Sequence, residues 1–369
     1  MSIYCERDVS NPLKSRAESS GNLLAVTRAN PALNCRISDN ERAMLNSQRI
    51  FVDAVKRYCS EHGIEAEVRS QGWLIVMRPK PNSQTDSRAQ QTRYTFGYDV
   101  GLNSAIAHRI ANDKSATAEV LTLSGVACIP HTLFLNPRLN AHSSQQGSWQ
   151  TMLKLLDEHP AGVVVKPNEG TSGKSVFLAT NRPALELAVD RVFASFPSLA
   201  ISPFVEIEDE VRVILIDETP AVVYRKDRPS VTGDGERSLL ELALAAMPPA
   251  RRSTVLPGLL ADFARIELDA IVPRGQRRLL NWRHNLDSGA TPELLDEGEI
   301  RRTCVALAVN AARAVGIRFA SIDVVLTGER WRVLEVNSGV MMESLSRLHP
   351  ELVQATYNAA LDKVFGEGT

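Results

Sequence analysis

Apolar and polar positions along the chain follow two rhythms, one of helices and one of strands. Over residues 41–61, Met44, Leu45, Ile50, Phe51, Val55 and Tyr58 recur at helical spacing, and His62-Gly63 forms a stop. Residues 23–26 and 73–77 are short apolar runs that read as strands, and the polar stretch 79–93 with Pro79 and Pro81 reads as a loop. Strand, helix and strand in that order predict a small α/β unit over 21–108, behind a poorly ordered tail, 1–20. A second unit is expected over 109–199. It opens on a helix with Asp113 as N-cap, Ala116, Val120, Leu121 and Leu123 on its apolar side, and Gly125 at its end. Residues 126–130 lead into a strand, and helices are expected at 149–158 and 183–193. A third unit, 200–369, should hold an extended run at 200–205, a hairpin of 211–216 with 221–225 and a tight turn at 232–235. Helices follow at 238–247, 295–315 and 352–364.

The centre of this pattern is 163–179. A β-branched run ends on Lys166-Pro167, a loop of Asn168, Glu169, Gly170, Thr171, Ser172, Gly173 and Lys174 follows, and a second apolar run begins at Val176. Apolar run, glycine loop and apolar run predict a hairpin whose backbone N–H groups and two lysines suit an anion such as a polyphosphate. A hairpin without a ligand fits the same letters. Gly173-Lys174-Ser175 imitates the end of a P-loop, but the first glycine of that pattern falls on Asn168. A strand rather than a helix is also expected after the loop.

A second chemical pattern lies in 321–337. If the two runs 321–327 and 331–337 pair through a three-residue loop, 328–330, then Thr327 faces Trp331, Val325 faces Val333, Asp323 faces Glu335 and Ser321 faces Asn337. Asp323, Glu335 and Asn337 then share one face. Opposed carboxylates destabilise a strand pair unless a cation lies between them, and Mg²⁺ takes such oxygen donors. A solvated acidic face is the other reading.

Composition narrows the picture by exclusion. The 369 residues carry a net charge of −1, which gives no electrostatic case for nucleic acid or an anionic membrane. Five scattered cysteines without a C-x-x-C pair argue against a zinc site or a disulfide framework and fit a reducing cytoplasm. No apolar run approaches membrane-spanning length, and the first 20 residues lack the apolar core of a signal peptide.

These motifs together resemble the ATP-grasp superfamily of carboxylate–amine ligases, above all the branch with cyanophycin synthetase and bifunctional glutathione synthetase. The resemblance covers roughly 101–364. It rests on Asp113-Lys114-Ser115-Ala116-Thr117 with Gly125, Val165-Lys166-Pro167 with 169–173, the string 231–235, Asn285-Leu286-Asp287-Ser288-Gly289, and Asp323 with Glu335-x-Asn337. It implies an α/β fold of the α+β kind, in which two subdomains clasp ATP behind a small N-terminal domain. It also implies an ATP-dependent ligation of amino-acid-like carboxylates and amines through an acyl phosphate, a cytoplasmic setting, and a homodimer or homotetramer. A nucleotide-binding regulatory module of the same fold, without turnover, is the alternative.

By the same resemblance Lys114 and Lys166 bind phosphates, and Glu169, Gly170, Thr171, Ser172 and Gly173 cover them. Glu210 holds the ribose, and Pro203, Phe204 and Val205 flank the adenine. Mg²⁺ sits on Asp323, Glu335 and Asn337. Arg212, Arg225 and Arg283, with Asn285, are the candidates for stabilising the acyl phosphate. The chain departs from the family at Ser202-Pro203, where a glutamate is usual and where Pro203 lacks a backbone donor.

Overall fold

A computed structural model of the chain describes residues 49–366 apart from 80–90, 140–148, 171–174, 248–251, 253–255, 257, 258, 261, 262, 264, 282–285 and 287–289. The helix expected over 41–61 is described from its second half, α1 (Ile50–Glu61), and the strand expected at 23–26 lies outside the described residues. α1 is followed by β1 (Ile64–Arg69), β2 (Leu74–Pro79) and β3 (Arg93–Phe96), an antiparallel sheet in the order β1-β2-β3. The apolar face of α1, with Phe51, Val52, Val55 and Tyr58 all buried, packs on Ile64, Ile75 and Met77 of this sheet.

Next come α2 (Ala105–Asn112) and α3 (Lys114–Leu123), joined at Asp113. The Asp113 carboxylate accepts from Ala116 N at 2.8 Å and caps α3 as expected, and Gly125 closes the helix at φ +69°. α2 was not expected from the sequence.

β4 (Thr132–Leu135), α4 (Trp149–Glu158), β5 (Val163–Pro167), β6 (Phe177–Ala179), α5 (Arg182–Phe193) and β7 (Ser198–Pro203) form a four-stranded antiparallel sheet, order β4-β7-β5-β6, with its helices. β5 and β6 are the predicted hairpin: Val163 pairs with Ala179 and Val165 with Phe177. A strand follows the loop, which removes the P-loop reading. Along β5 the side chains alternate. Val163 and Val165 enter a core with Met152, Leu185, Ala188 and Val192 of α4 and α5, while Val164 and Lys166 face the other way.

The third group begins with β8 (Asp209–Ile216) and β9 (Thr219–Asp227), whose two-residue turn Asp217-Glu218 has φ +46° and +65°. β10 (Ser230–Thr232), α6 (Leu239–Ala246), α7 (Arg265–Asp269) and β11 (Arg277–Leu279) form a small lobe. There a Cβ on Gly233 would lie 2.1 Å from Pro273 O, so only glycine fits. β12 (Thr291–Leu294), α8 (Glu299–Val315), β13 (Phe319–Thr327), β14 (Arg330–Asn337), α9 (Glu343–Ser346) and α10 (Pro350–Gly366) complete the chain.

The five-stranded antiparallel sheet runs β12-β9-β8-β13-β14. Val211, Val213, Val223, Ile322, Val324 and Val336 bury one face against α8, where the small residues Ala308, Ala311 and Ala312 allow close approach. The other face is apolar at one end, where Ile214, Val222 and Phe319 meet α1 and α10. At its other end it carries charge.

The hairpin of β13 and β14 pairs Asp323 with Glu335 and Ser321 with Asn337, as read from the sequence, but by another route. The turn has two residues, Gly328 and Glu329, both at positive φ, so Val324 rather than Val325 faces Val333. A bulge beside Asp323, with Leu334 as the extra residue, restores the register at the far end.

Candidate active site

A cavity of about 480 Å³ opens between the inner face of the four-stranded sheet and the charged end of the five-stranded sheet. Lys114, Lys166, Gly170, Pro203, Phe204, Val205, Glu210, Arg212, Asp323, Glu335 and Asn337 all line it. Glu169 is exposed and lies outside the wall. Thr171, Ser172, Gly173, Arg283 and Asn285 lie outside the described residues.

Arg225 is a correction. Strand alternation sends Tyr224 and Lys226 into the cavity and Arg225 to the opposite side of the sheet, where its Nε donates to Asp209 at 2.8 Å. Lys226 is one of the groups that sequence reasoning missed. The expected strand ended at Arg225, one residue short, although the alternation of Tyr224 with a polar residue two positions on was legible.

Local structure fixes each cation. The start of α3 is clipped to the end of β5: Asn168 O accepts from Lys114 N at 3.2 Å, and Asn168 Oδ1 accepts from Ser115 N and Oγ at 3.1 and 2.9 Å. This places Lys114 Nζ 2.9 Å from Gly170 O and 3.2 Å from Glu335 Oε1. Arg212 grips Asp323 with two parallel bonds, Nε to Oδ1 and Nη2 to Oδ2, each 2.7 Å. Lys226 Nζ bridges Glu210 and Asp323, at 2.5 and 2.9 Å.

Burial alone would raise the Asp323 carboxyl, but Arg212 and Lys226 outweigh it and hold the group far below the usual carboxylate range. Lys166 has the opposite fate. Burial lowers its ammonium to about 8, against the pull of Glu335 and with the help of Lys114. Beside it His131 is driven well below its ordinary value by burial first and by Lys166 second. Its Nδ1 lies 2.9 Å from Ile129 O and, in the neutral ring, donates to it. This leaves Nε2 a buried acceptor with no partner among the described residues.

Four cationic side chains therefore face three carboxylates, those of Glu210, Asp323 and Glu335, across this end of the cavity. An anion would restore the balance. For a metal the donors divide. Among the described residues no group of three or more His, Cys, Asp or Glu is placed to hold one. Glu335 and Asn337 offer oxygens at the cavity wall, which suits Mg²⁺, an ion that keeps most of its shell for water and phosphate. Both Asp323 oxygens already accept from Arg212 and Lys226, so in this geometry Asp323 is first a counter-ion.

No family model matches the sequence, and no curated protein matches it. Among solved structures the chain is similar to D-alanine–D-alanine ligase from Bacillus anthracis, at 15% identity and a TM-score of 0.47 over 72% of each chain. It is similar to a bifunctional glutathione synthetase from Pasteurella multocida, at 16% identity and 0.45, over 84% of this chain and 44% of that one. The chain thus spans less than half the length of that synthetase. A third is the ATP-grasp ligase PsnB complexed with minimal precursor, at 14% identity and 0.42, over 70% of this chain and 64% of that one.

Proposed function

We propose that this chain is an ATP-grasp enzyme that joins the carboxylate of one small amino-acid-like substrate to the amine of another, with ATP converted to ADP and phosphate. The observation that carries the reading is the convergence of Lys114, Lys166, Arg212 and Lys226 with Glu210, Asp323, Glu335 and Asn337 on one cavity between two sheets. At about 480 Å³ the cavity is of the size that holds a small ligand and its cosubstrate.

A substrate carboxylate oxygen attacks the γ-phosphorus and ADP leaves. The amine then attacks the acyl carbon, phosphate leaves with the bonding electron pair, and the amine proton passes to solvent. Phosphoryl transfer asks the protein mainly for position and charge. Lys114, clipped to the phosphate hairpin, and Lys166 neutralise the phosphates. Arg212, set rigidly by Asp323, faces the oxyanion that develops at the acyl centre. Glu210 accepts from the ribose hydroxyls, and Phe204 and Val205 give the base an apolar wall. Glu335 and Asn337, with Asp323 behind them, would hold Mg²⁺, which would supply positive charge that offsets the phosphates.

The test is phosphate release from ATP, screened over pairs of amino acids with mass spectrometry of the products. Release that requires both a carboxylate and an amine, with a new amide of matching mass, supports the ligase. Nucleotide binding without turnover for any pair overturns it in favour of a regulatory module.

A further inference from the structure

The cavity wall carries a further carboxylate, which forms no ion pair with the cluster of Lys114, Arg212 and Lys226 among the described residues. Met341, Met342, Leu345 and Leu286 are apolar residues of the same wall, and Glu343, the first residue of α9, is that carboxylate. Tyr98, carried by the turn after β3, donates its hydroxyl to Glu343 Oε1. Burial first, and the Glu343 contact second, push the Tyr98 hydroxyl above its ordinary value, so it stays a donor. The segment is pinned from behind, because Tyr357 donates to Val340 O at 2.8 Å.

The other oxygen, Glu343 Oε2, is buried and has no hydrogen-bond partner among the described residues. Such an oxygen is costly unless something donates to it. Lys114, Arg212 and Lys226 form their ion pairs with Glu335, Asp323 and Glu210 instead. Arg49, whose guanidinium lies 5.0 Å over the Tyr98 ring, donates to the carbonyls of Gly72 and Gly97 and also contacts the Tyr98 hydroxyl.

We propose that Glu343, steadied by Tyr98, is the docking group for the ammonium of an amino-acid substrate. The inference rests on the ligase reading and adds to it the group that decides which acids enter. An ammonium brings three donors and a full charge, which satisfies Oε2 in surroundings where water competes poorly. The cavity then binds phosphate at the lysines and the substrate's charged nitrogen at Glu343, with the reacting carboxylate between them.

The test uses the full chain. Calorimetry without nucleotide compares each of the twenty amino acids with its des-amino acid. Binding of at least one amino acid, with its des-amino counterpart about 100-fold weaker, is expected from loss of a buried charge pair. Glu343→Gln should shrink that ratio to below about 5-fold through the amino acid alone, with Glu343→Asp recovering part of it and Tyr98→Phe weakening binding by about 5- to 10-fold. In turnover assays the Glu343→Gln effect should fall on KM more than on kcat.

If no amino acid binds, or if Glu343→Gln is folded by circular dichroism yet keeps the full ratio, the proposal fails. A wild-type chain that selects amino acids but never binds ATP would instead remove the ligase reading and leave this one standing.

Discussion

Replacing Asp323 by asparagine tests the charge network at its centre. Asp323 is 2% exposed and takes both donors of Arg212 at 2.7 Å and the ammonium of Lys226 at 2.9 Å. The asparagine keeps the shape but leaves two buried cations sharing Glu210 alone. Removing one partner of a buried pair costs about 3–5 kcal/mol, because the remaining charge stays desolvated. A loss of about 4 kcal/mol at pH 7 is expected from urea unfolding. Asp323→Asn combined with Arg212→Met should recover about half of it, since the second change removes an orphaned cation. The pH dependence follows from the depressed carboxyl. Its folded value lies below the unfolded value of about 3.9, so its contribution is complete above that pH and fades as pH falls through the folded value. Wild type and variant should therefore differ fully at pH 6–7 and converge only below about pH 3.9. A loss under about 1 kcal/mol at pH 7, or strict additivity in the double variant, would show that solvent already screens the network and would refute the reasoning.

Three further outcomes are expected. Lys166 titrates near 8 in the folded chain, below its unfolded value of about 10.4, so its charged form opposes folding. Lys166→Met should stabilise the chain at pH 7 by on the order of 1–3 kcal/mol, and the gain should vanish as pH rises from 8 towards 10.5. The same residue should make ADP binding weaken above pH 8 and take up a proton there, read from binding enthalpies in two buffers; a flat profile would contradict it. Gly233→Ala should destabilise by about 2–3 kcal/mol in a urea titration, because the new Cβ meets the backbone carbonyl oxygens of Pro273 and Val272 at 2.1 and 2.4 Å.

The sequence made the charged hairpins legible and left the connections obscure. β5 with β6, and β13 with β14, announce themselves through β-branched runs broken by glycine, and the helix 149–158 by its periodicity. β1, β3 and β12 escaped because each is four to six residues long and rich in charged or polar letters, so tertiary pairing rather than propensity makes them strands. α2 escaped because Asp113 serves as the C-cap of α2 and the N-cap of α3, and only the second role was read. The charged cavity-lining residues of the β5–β6 and β13–β14 hairpins were singled out from their neighbours in the chain. Lys226, His131 and the Tyr98–Glu343 pair were not, since each gains its meaning only from a strand or turn distant in sequence.

The short turn at Gly328-Glu329 and the extra Leu334 offset one another, which ties loop length to chemistry at the opposite end of the hairpin. If Arg330 joined the turn while the bulge at Leu334 stayed, Glu335 would fall opposite Val324 and Asn337 opposite Ile322, on the helix-packed side of the sheet. Turn length and bulge, about five to six positions apart along β14, thus have to change together if the register slips and the centre is to keep Glu335 and Asn337.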